Sequence, residues 1–268
     1  MRIKTRPVVL TALLFIAGGT HAQAKEITVM ISGGFKAALT QLAPRYEAQH
    51  GDKVVIVSGP SMGKTPQAIP NRLARGEKAD VVIMVGDALK TLENDGKVVP
   101  DSRVELADSS IGAVVKEGQP KVDISTEAAL RTALLNAQSI AYSDSASGKY
   151  ISTQLFKKLG IEKEVGNKAH QVERIPVASQ VAKGTYQLGF QQVSELMPEH
   201  GVTFIGELPD SVQYITRFAG AIPKGAENEA EAKALLDYLA STEAQKIVHE
   251  TGLKSVTNAP MAEKHVVQ

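Results

Sequence analysis

Short apolar runs that each lead into a helix-periodic stretch constrain the fold of this chain more than any other feature. "KEITVMIS" (25–32) precedes "GGFKAALTQLAPRYEAQHG", where Phe35, Leu39, Leu42 and Tyr46 recur at helical spacing and Gly51 closes the run. "KVVIVSG" (53–59) precedes the short helix "IPNRLARGEKA", and "DVVIMVG" (80–86) precedes "DALKTLENDGKV". Strands alternating with helices predict an α/β fold with a parallel sheet covered on both faces. Beyond residue 108, "SSIGAVVKEGQP" reads as a strand and "DISTEAALRTALLN" as a helix capped by Ser125 or Thr126. "SIAYSDSASGKYISTQLFKKLG" reads as strand, polar loop and helix, "QLGFQQVSEL" as a strand running into a polar loop, and "SVQYITRFAGAIPKG" as a further strand. The tail 227–253 is amphipathic and broken at Ser241-Thr242, where a second helix is capped. No internal repeat interrupts this pattern.

The first residues specify a compartment. Arg2, Lys4 and Arg6 form a basic leader, Val8 to Ala17 an apolar stretch, and Ala22-Gln23-Ala24 a small-residue cleavage site, after Ala22 or Ala24. A membrane span needs about 20 apolar residues, so residues 1–24 read as a cleaved signal peptide and the mature protein as a soluble resident of the periplasm. No cysteine follows the apolar run, which excludes a lipid anchor. Removing the leader takes three of the 30 Lys and Arg and none of the 29 Asp and Glu, which leaves 27 − 29 = −2. A near-neutral chain argues against nucleic-acid or membrane-surface partners. With no Trp and aromatics at 4%, it lacks the stacking faces that sugars need, whereas a small polar anion needs only amides and hydroxyls.

"SGPSMGKT" (58–65) approaches a nucleotide-binding loop but misses it. Such a loop needs four residues between its glycines, and here only Pro60-Ser61-Met62 separate Gly59 from Gly63. Pro60 also offers no amide donor. The same local chemistry, a strand ending in Gly, Ser or Thr ahead of a helix, recurs at Ser32–Phe35, Ser143–Tyr150 and Phe190–Glu195. Strand ends of this kind expose unpaired amides and the positive end of a helix dipole. Ligands of open α/β folds bind at the carboxyl ends of strands, so the four loops together form an anion site.

The stretch "RLARGEKADVVIMVGDALKTL" resembles the molybdate-binding group of periplasmic solute-binding proteins, and "AKALLDYLASTEAQKIVHETGL" resembles the C-terminal signature of that wider family. The resemblance covers the mature chain and implies a two-lobed periplasmic binding protein of type II. Mixed sheets flanked by helices, two crossover strands and a ligand cleft between the lobes belong to that fold. It places lobe I at 25–108 and 218–268 and lobe II at 109–217, with crossings near Asp108–Ile111 and Tyr214–Ala219.

The chain departs from the molybdate pattern in an informative way. Gly33-Gly34 stand where the family has a contacting serine, leaving that role to Ser32, while Ser61 resembles the family's second serine. "MGKTPQAIP" lengthens the second loop, and Gln192 stands in place of a tyrosine. Lysines and extra amides suit a ligand with several carboxylates. "GPSMGKTPQAIP", "SIAYSDSASGKY" and "LGFQQVSEL" together resemble the periplasmic branch that acts as aconitate isomerase. That resemblance implies ligand contacts at Ser32, Gly33, Gly34, Ser61, Thr65, Ser145, Ser147, Gly148, Gln191 and Gln192. The chemistry would be an allylic proton shift, with Lys149 or Lys64 as base, Asp144 a rival base and Tyr142 the proton donor; the alternative is that both lysines only neutralise carboxylates and Tyr142 only packs. The alternative is a transport-coupled binding protein for molybdate or another small anion, working with an ABC permease and doing no chemistry. A sensor subunit is a third reading.

No cofactor or metal is expected. His50, His170, His200, His249 and His265 lack ligand spacing, and His200 alone follows one of the four loops closely.

Overall fold

The computed structural model describes residues 23–256. The signal peptide expected over residues 1–24 therefore lies, for residues 1–22, outside the described residues, as does His265.

The chain forms two mixed sheets, each covered by helices. In the first half, β1 (Glu26–Ile31), α1 (Gly33–His50), β2 (Lys53–Ser58), α2 (Ile69–Ala74), β3 (Val81–Val85), α3 (Gly86–Asn94) and β4 (Val104–Ser109) follow in order. β1 pairs in parallel with β2 and β3, Ile31 standing opposite Ser58 at the end of β2 and Ile83 in the middle of β3. The alternation of buried side chains explains the layering. Ile27, Val29 and Ile31 of β1 point into one core with Phe35, Leu39 and Leu42 of α1, while Met30 points into another with Ile69 and Leu89.

The second sheet begins at β5 (Ile111–Lys116), separated from β4 by Ser110. Then come α4 (Glu127–Asn136), β6 (Ile140–Ser143) and α5 (Ala146–Tyr150), which continues through a π-helical turn, Ile151–Leu155, into α6 (Phe156–Lys158). α7 (Glu162–Val165), β7 (Ala169–Val172), α8 (Val177–Ala182), β8 (Leu188–Gln192), α9 (Val193–Leu196) and β9 (Val202–Glu207) complete this half. Its strand order is β7-β6-β8-β5-β9, with β5 antiparallel to both neighbours. Gln213 acts as a one-residue strand at the start of β5, accepting from the Ile111 N–H and donating to its carbonyl, both at 2.9 Å.

The chain then returns as β10 (Thr216–Ala221), which pairs antiparallel with β3 and β4, followed by α10 (Glu229–Leu239), α11 (Thr242–Glu250) and β11 (Lys254–Ser255). The parallel pattern expected from the alternation thus holds for β2-β1-β3, and the returning strand makes the sheet mixed. Thr126 caps α4 by accepting from the Ala129 N–H, and Ser241 caps α11 by accepting from Ala244. β7 and β9 add to the strands expected from the sequence, and α9 replaces the polar loop expected after β8.

Asp80 shows why Ala-Asp precedes β3. Its buried carboxylate accepts from the Thr28 N–H at 3.0 Å and from the Glu227 and Asn228 N–H groups at 3.1 and 3.0 Å. One side chain thereby ties the start of the sheet to the entry of α10.

Candidate active site

The carboxyl ends of β1, β2, β3, β6 and β8 face one cavity of about 870 Å³ between the two sheets. At the end of β1, Ser32 donates its N–H to the Ile83 carbonyl at 3.0 Å, and the chain turns at once into α1. Gly34 permits this turn, because the Phe218 ring lies where a β-carbon would stand, 2.2 Å away. The Ser32 hydroxyl is buried and has no hydrogen-bond partner. An orphaned buried hydroxyl costs about 1–3 kcal/mol, and this one belongs to a residue of the cavity lining.

After β2 the chain makes a long loop that closes on itself at Gly59, where a β-carbon would meet the Gln67 carbonyl at 2.1 Å. Asn71 of α2 fastens the loop, donating to the carbonyls of Gly63 and Thr65 at 3.0 and 2.8 Å. Ser61, also buried, accepts the Val85 N–H at 2.9 Å. With its oxygen so occupied, the hydroxyl proton remains free to donate.

In the second sheet, Ser143 organises the loop ahead of α5. Its hydroxyl meets those of Ser145 and Ser147 at 2.8 Å each and accepts the Gly148 N–H at 3.2 Å. Gly148 has no room for a side chain, since a β-carbon would stand 1.6 Å from the Ser143 carbonyl oxygen. Gln191 accepts the Val177 N–H through Oε1 at 3.0 Å, which fixes its amide and leaves Nε2 as a donor. Gln192 is tied at both ends: Oε1 accepts from Ser109 of β4 at 2.7 Å, and Nε2 donates to Thr216 of β10 at 3.3 Å. Its amide therefore bridges both strands that join the sheets.

Charged residues complete the wall: Lys36 and Arg174, against Asp144, Glu195 and Glu199. Arg174 holds a left-handed backbone at φ 63°, costly for a side-chain residue, and donates its N–H to Asp144 Oδ2 at 3.1 Å. Glu195 reaches from α9 to the start of α1, where its Oε1 lies 2.1 Å from the place of a Gly33 β-carbon. Its neighbour Ser194 donates to the Gly34 carbonyl at 2.6 Å, which pins α9 against α1 across the cleft. Glu195 opens partly onto the cavity, yet its carboxyl lies deep in the protein mass. Burial pushes that carboxyl up to about 7, and the negative charge of Asp144 adds to the rise.

Of the residues singled out from the sequence, Ser32, Gly33, Gly34, Ser61, Thr65, Ser145, Gln191 and Gln192 line the cavity. Ser147 and Gly148 stand behind it as partners of Ser143. Lys64 and Lys149 are exposed and outside the lining, and Tyr142 packs edge-on against Phe156 at 6.4 Å. His200 is exposed outside the lining, while His50 stacks on Tyr46 at 4.1 Å and His170 on Tyr186 at 5.4 Å. Among the described residues no group of His, Cys, Asp and Glu could hold a metal ion. Lys36, Arg174, Glu195 and Glu199 escaped the sequence reading as wall residues, although Glu195 ends a loop that it had picked out. No helix of the described residues is long and apolar enough to cross a membrane.

The comparisons agree with this architecture. The chain is 47% identical over 234 residues to a Pseudomonas protein named aconitate isomerase, covering 87% of this chain and 89% of that one. It is 28% identical over 236 residues to a molybdate-binding protein of Azotobacter vinelandii, covering 86% and 90%. The solved structure of an Azotobacter vinelandii periplasmic molybdate-binding protein superposes with a TM-score of 0.70 at 22% identity, over 85% of this chain and 98% of that one. At that identity it shows the shared fold alone. The bacterial extracellular solute-binding protein model matches residues 27–254, and the chain belongs to that family.

Proposed function

We propose that the protein is a periplasmic aconitate isomerase, interconverting trans- and cis-aconitate in the cavity between its sheets. The observation that carries this reading is the 47% identity, across most of both chains, to the Pseudomonas protein of that name. The cavity supports it chemically. Aconitate spreads three carboxylates over a short carbon frame, and hydroxyls and amides from both sheets, with Lys36 and Arg174, line the cavity that would receive them.

In this reading Ser32, Ser61 and the first amides of α1 at Gly33 and Gly34 hold one end of the ligand. Gln191, Ser145 and Gln192 hold the other end from the second sheet, with Thr65 at the rim. Lys36 and Arg174 offset the ligand's charge. Residues 25–108 with 218–268 and residues 109–217 are then the two lobes that close on it. Residues 1–24 direct export, and an ABC permease is a partner only if the protein also delivers its ligand.

The reaction moves one proton. A base takes it from the methylene carbon, and the electron pair spreads over three carbons and into the flanking carboxylates. Donors fixed around those carboxylates stabilise the charge as it grows. The proton returns at the far carbon, the double bond shifts by one position, and the rotamer held by the cavity decides the isomer.

The test is to incubate the mature protein with trans-aconitate and follow the cis isomer by chromatography. Conversion to an equilibrium mixture is the expected result. No conversion at high protein concentration, together with tight molybdate binding by calorimetry, would favour the transport-coupled alternative, which shares the fold.

A further inference from the structure

We propose that the Glu195 carboxyl is the acid–base group of this cavity, taking a proton from one end of the substrate's three-carbon unit and returning it to the other. The inference rests on the aconitate isomerase reading and gives the proton a carrier.

Position comes first. Glu195 is one of three carboxylates in the wall, and the others are committed or peripheral. Asp144 is exposed and accepts the Arg174 N–H, and Glu199 lies after α9 beside Pro198. Glu195 instead faces the start of α1, beside Ser32, a residue of the same lining whose hydroxyl is orphaned. Its place is fixed from the opposite sheet, because Ser194 is bonded to the Gly34 carbonyl. Gly33 makes room for the carboxyl; any other residue there would collide with Oε1.

Chemical state follows. Among the described residues Glu195 forms no ion pair or hydrogen bond, so its oxygens are uncommitted. The charged groups around the cavity are Lys36 from α1, Asp144 from the loop after β6, Arg174 from the segment before α8, and Glu199. Burial and the Asp144 charge raise the carboxyl to about 7, where it can both take and give a proton near neutral pH.

Geometry suits a carboxyl in particular. The two oxygens of one carboxyl are spaced much like the two ends of a three-carbon unit. Ionised Glu195 accepts the methylene proton, and the C–H electron pair enters the allylic system. The protonated carboxyl, whose proton exchanges with solvent between the two steps, then delivers a proton to the far carbon, forming the new C–H bond and restoring the carboxylate. Charge and atoms balance with no oxidant, reductant or second base.

Glu195→Gln tests the assignment in the full mature protein. The expected result is a fall in kcat of about a thousandfold, within the range for loss of a general base. Calorimetric affinity for trans-aconitate should stay within about fivefold, since the side chain is not a clamp. In D2O, exchange of the substrate methylene protons, followed by NMR, should stop in Glu195→Gln and persist at a reduced rate in Glu195→Asp. Turnover of Glu195→Gln within tenfold of the unmutated protein would overturn the proposal. So would a parallel loss of binding and turnover, or abolition by Lys149→Ala or Lys64→Ala while Glu195→Gln stays active. An unmutated protein that interconverts nothing would overturn the underlying function, and with it this role.

Discussion

Arg217 on β10 grips Asp108 on β4 through two hydrogen bonds, with Nη2 2.9 Å from Oδ2, at the point where the chain leaves the first sheet. The same guanidinium reaches Glu105 at 3.2 Å, and Arg103 binds Glu105 from its other side at 2.6 Å. Bidentate, half-buried pairs of this kind hold strands more firmly than exposed ones.

Arg217→Met should therefore destabilise the protein by about 2 kcal/mol, between the values for exposed and buried pairs, and lower Tm by about 5 °C. Burial opposes the ionisation of Glu105, but the hydrogen bonds and charges of Arg103 and Arg217 outweigh it and hold this carboxyl below its ordinary range. Its contribution is then complete above the ordinary Glu value and lost as pH falls through the lowered one. Thermal melts across the acid range should show a steeper acid decline in the wild type than in Arg217→Met.

Ser32→Ala and Ser61→Ala separate binding from stability. The Ser32 hydroxyl has no partner, so its removal should leave Tm unchanged or slightly higher, while affinity for trans-aconitate falls roughly tenfold. Ser61 accepts the Val85 N–H, so Ser61→Ala should lose about 1 kcal/mol of stability as well as affinity. Calorimetry beside thermal melts reads both effects.

Two glycines should respond in opposite ways. Gly148→Ala drives a methyl into the Ser143 backbone and should cost about 3 kcal/mol or prevent folding. Gly33→Ala meets only the end of the Glu195 side chain, which can swing aside. That variant should fold normally, with a Tm within about 2 °C of the parent, and lose most of its turnover.

Glu195 should leave a signature in stability. Its folded-state value of about 7 lies above the ordinary Glu value of about 4.3, so the folded state binds more protons between them. Stability should fall as pH rises through this window, by about 1–2 kcal/mol after allowance for partial access to solvent. In Glu195→Gln this decline should vanish, leaving the variant the more stable protein at pH 8. Urea unfolding at several pH values is the measurement.

The sequence makes the first sheet legible because β1, β2 and β3 are apolar runs flanked by caps and glycines, signals that lie within a few residues of one another. β7 and β9 carry no such run: "AHQV" and "VTFIGE" are edge strands with mostly half-exposed or exposed side chains, so no apolar stretch marks them. The hydroxyl and amide wall was legible for a similar reason, since strand ends advertise themselves by Gly and Ser. The charged wall was not. Glu195 and Gly33 meet across 162 positions of sequence (195 − 33), and nothing in "VSEL" marks one carboxyl as buried. Lys64 and Lys149 drew attention by standing in glycine-rich loops, yet a loop's composition does not fix where a long side chain points.

Gln192 gives the molecule a mechanical property. One residue lines the cavity and its amide is also fastened to both strands that join the sheets, Ser109 on β4 and Thr216 on β10. A shift of Ser109 against Thr216 would therefore be felt at the cavity wall through a single side chain.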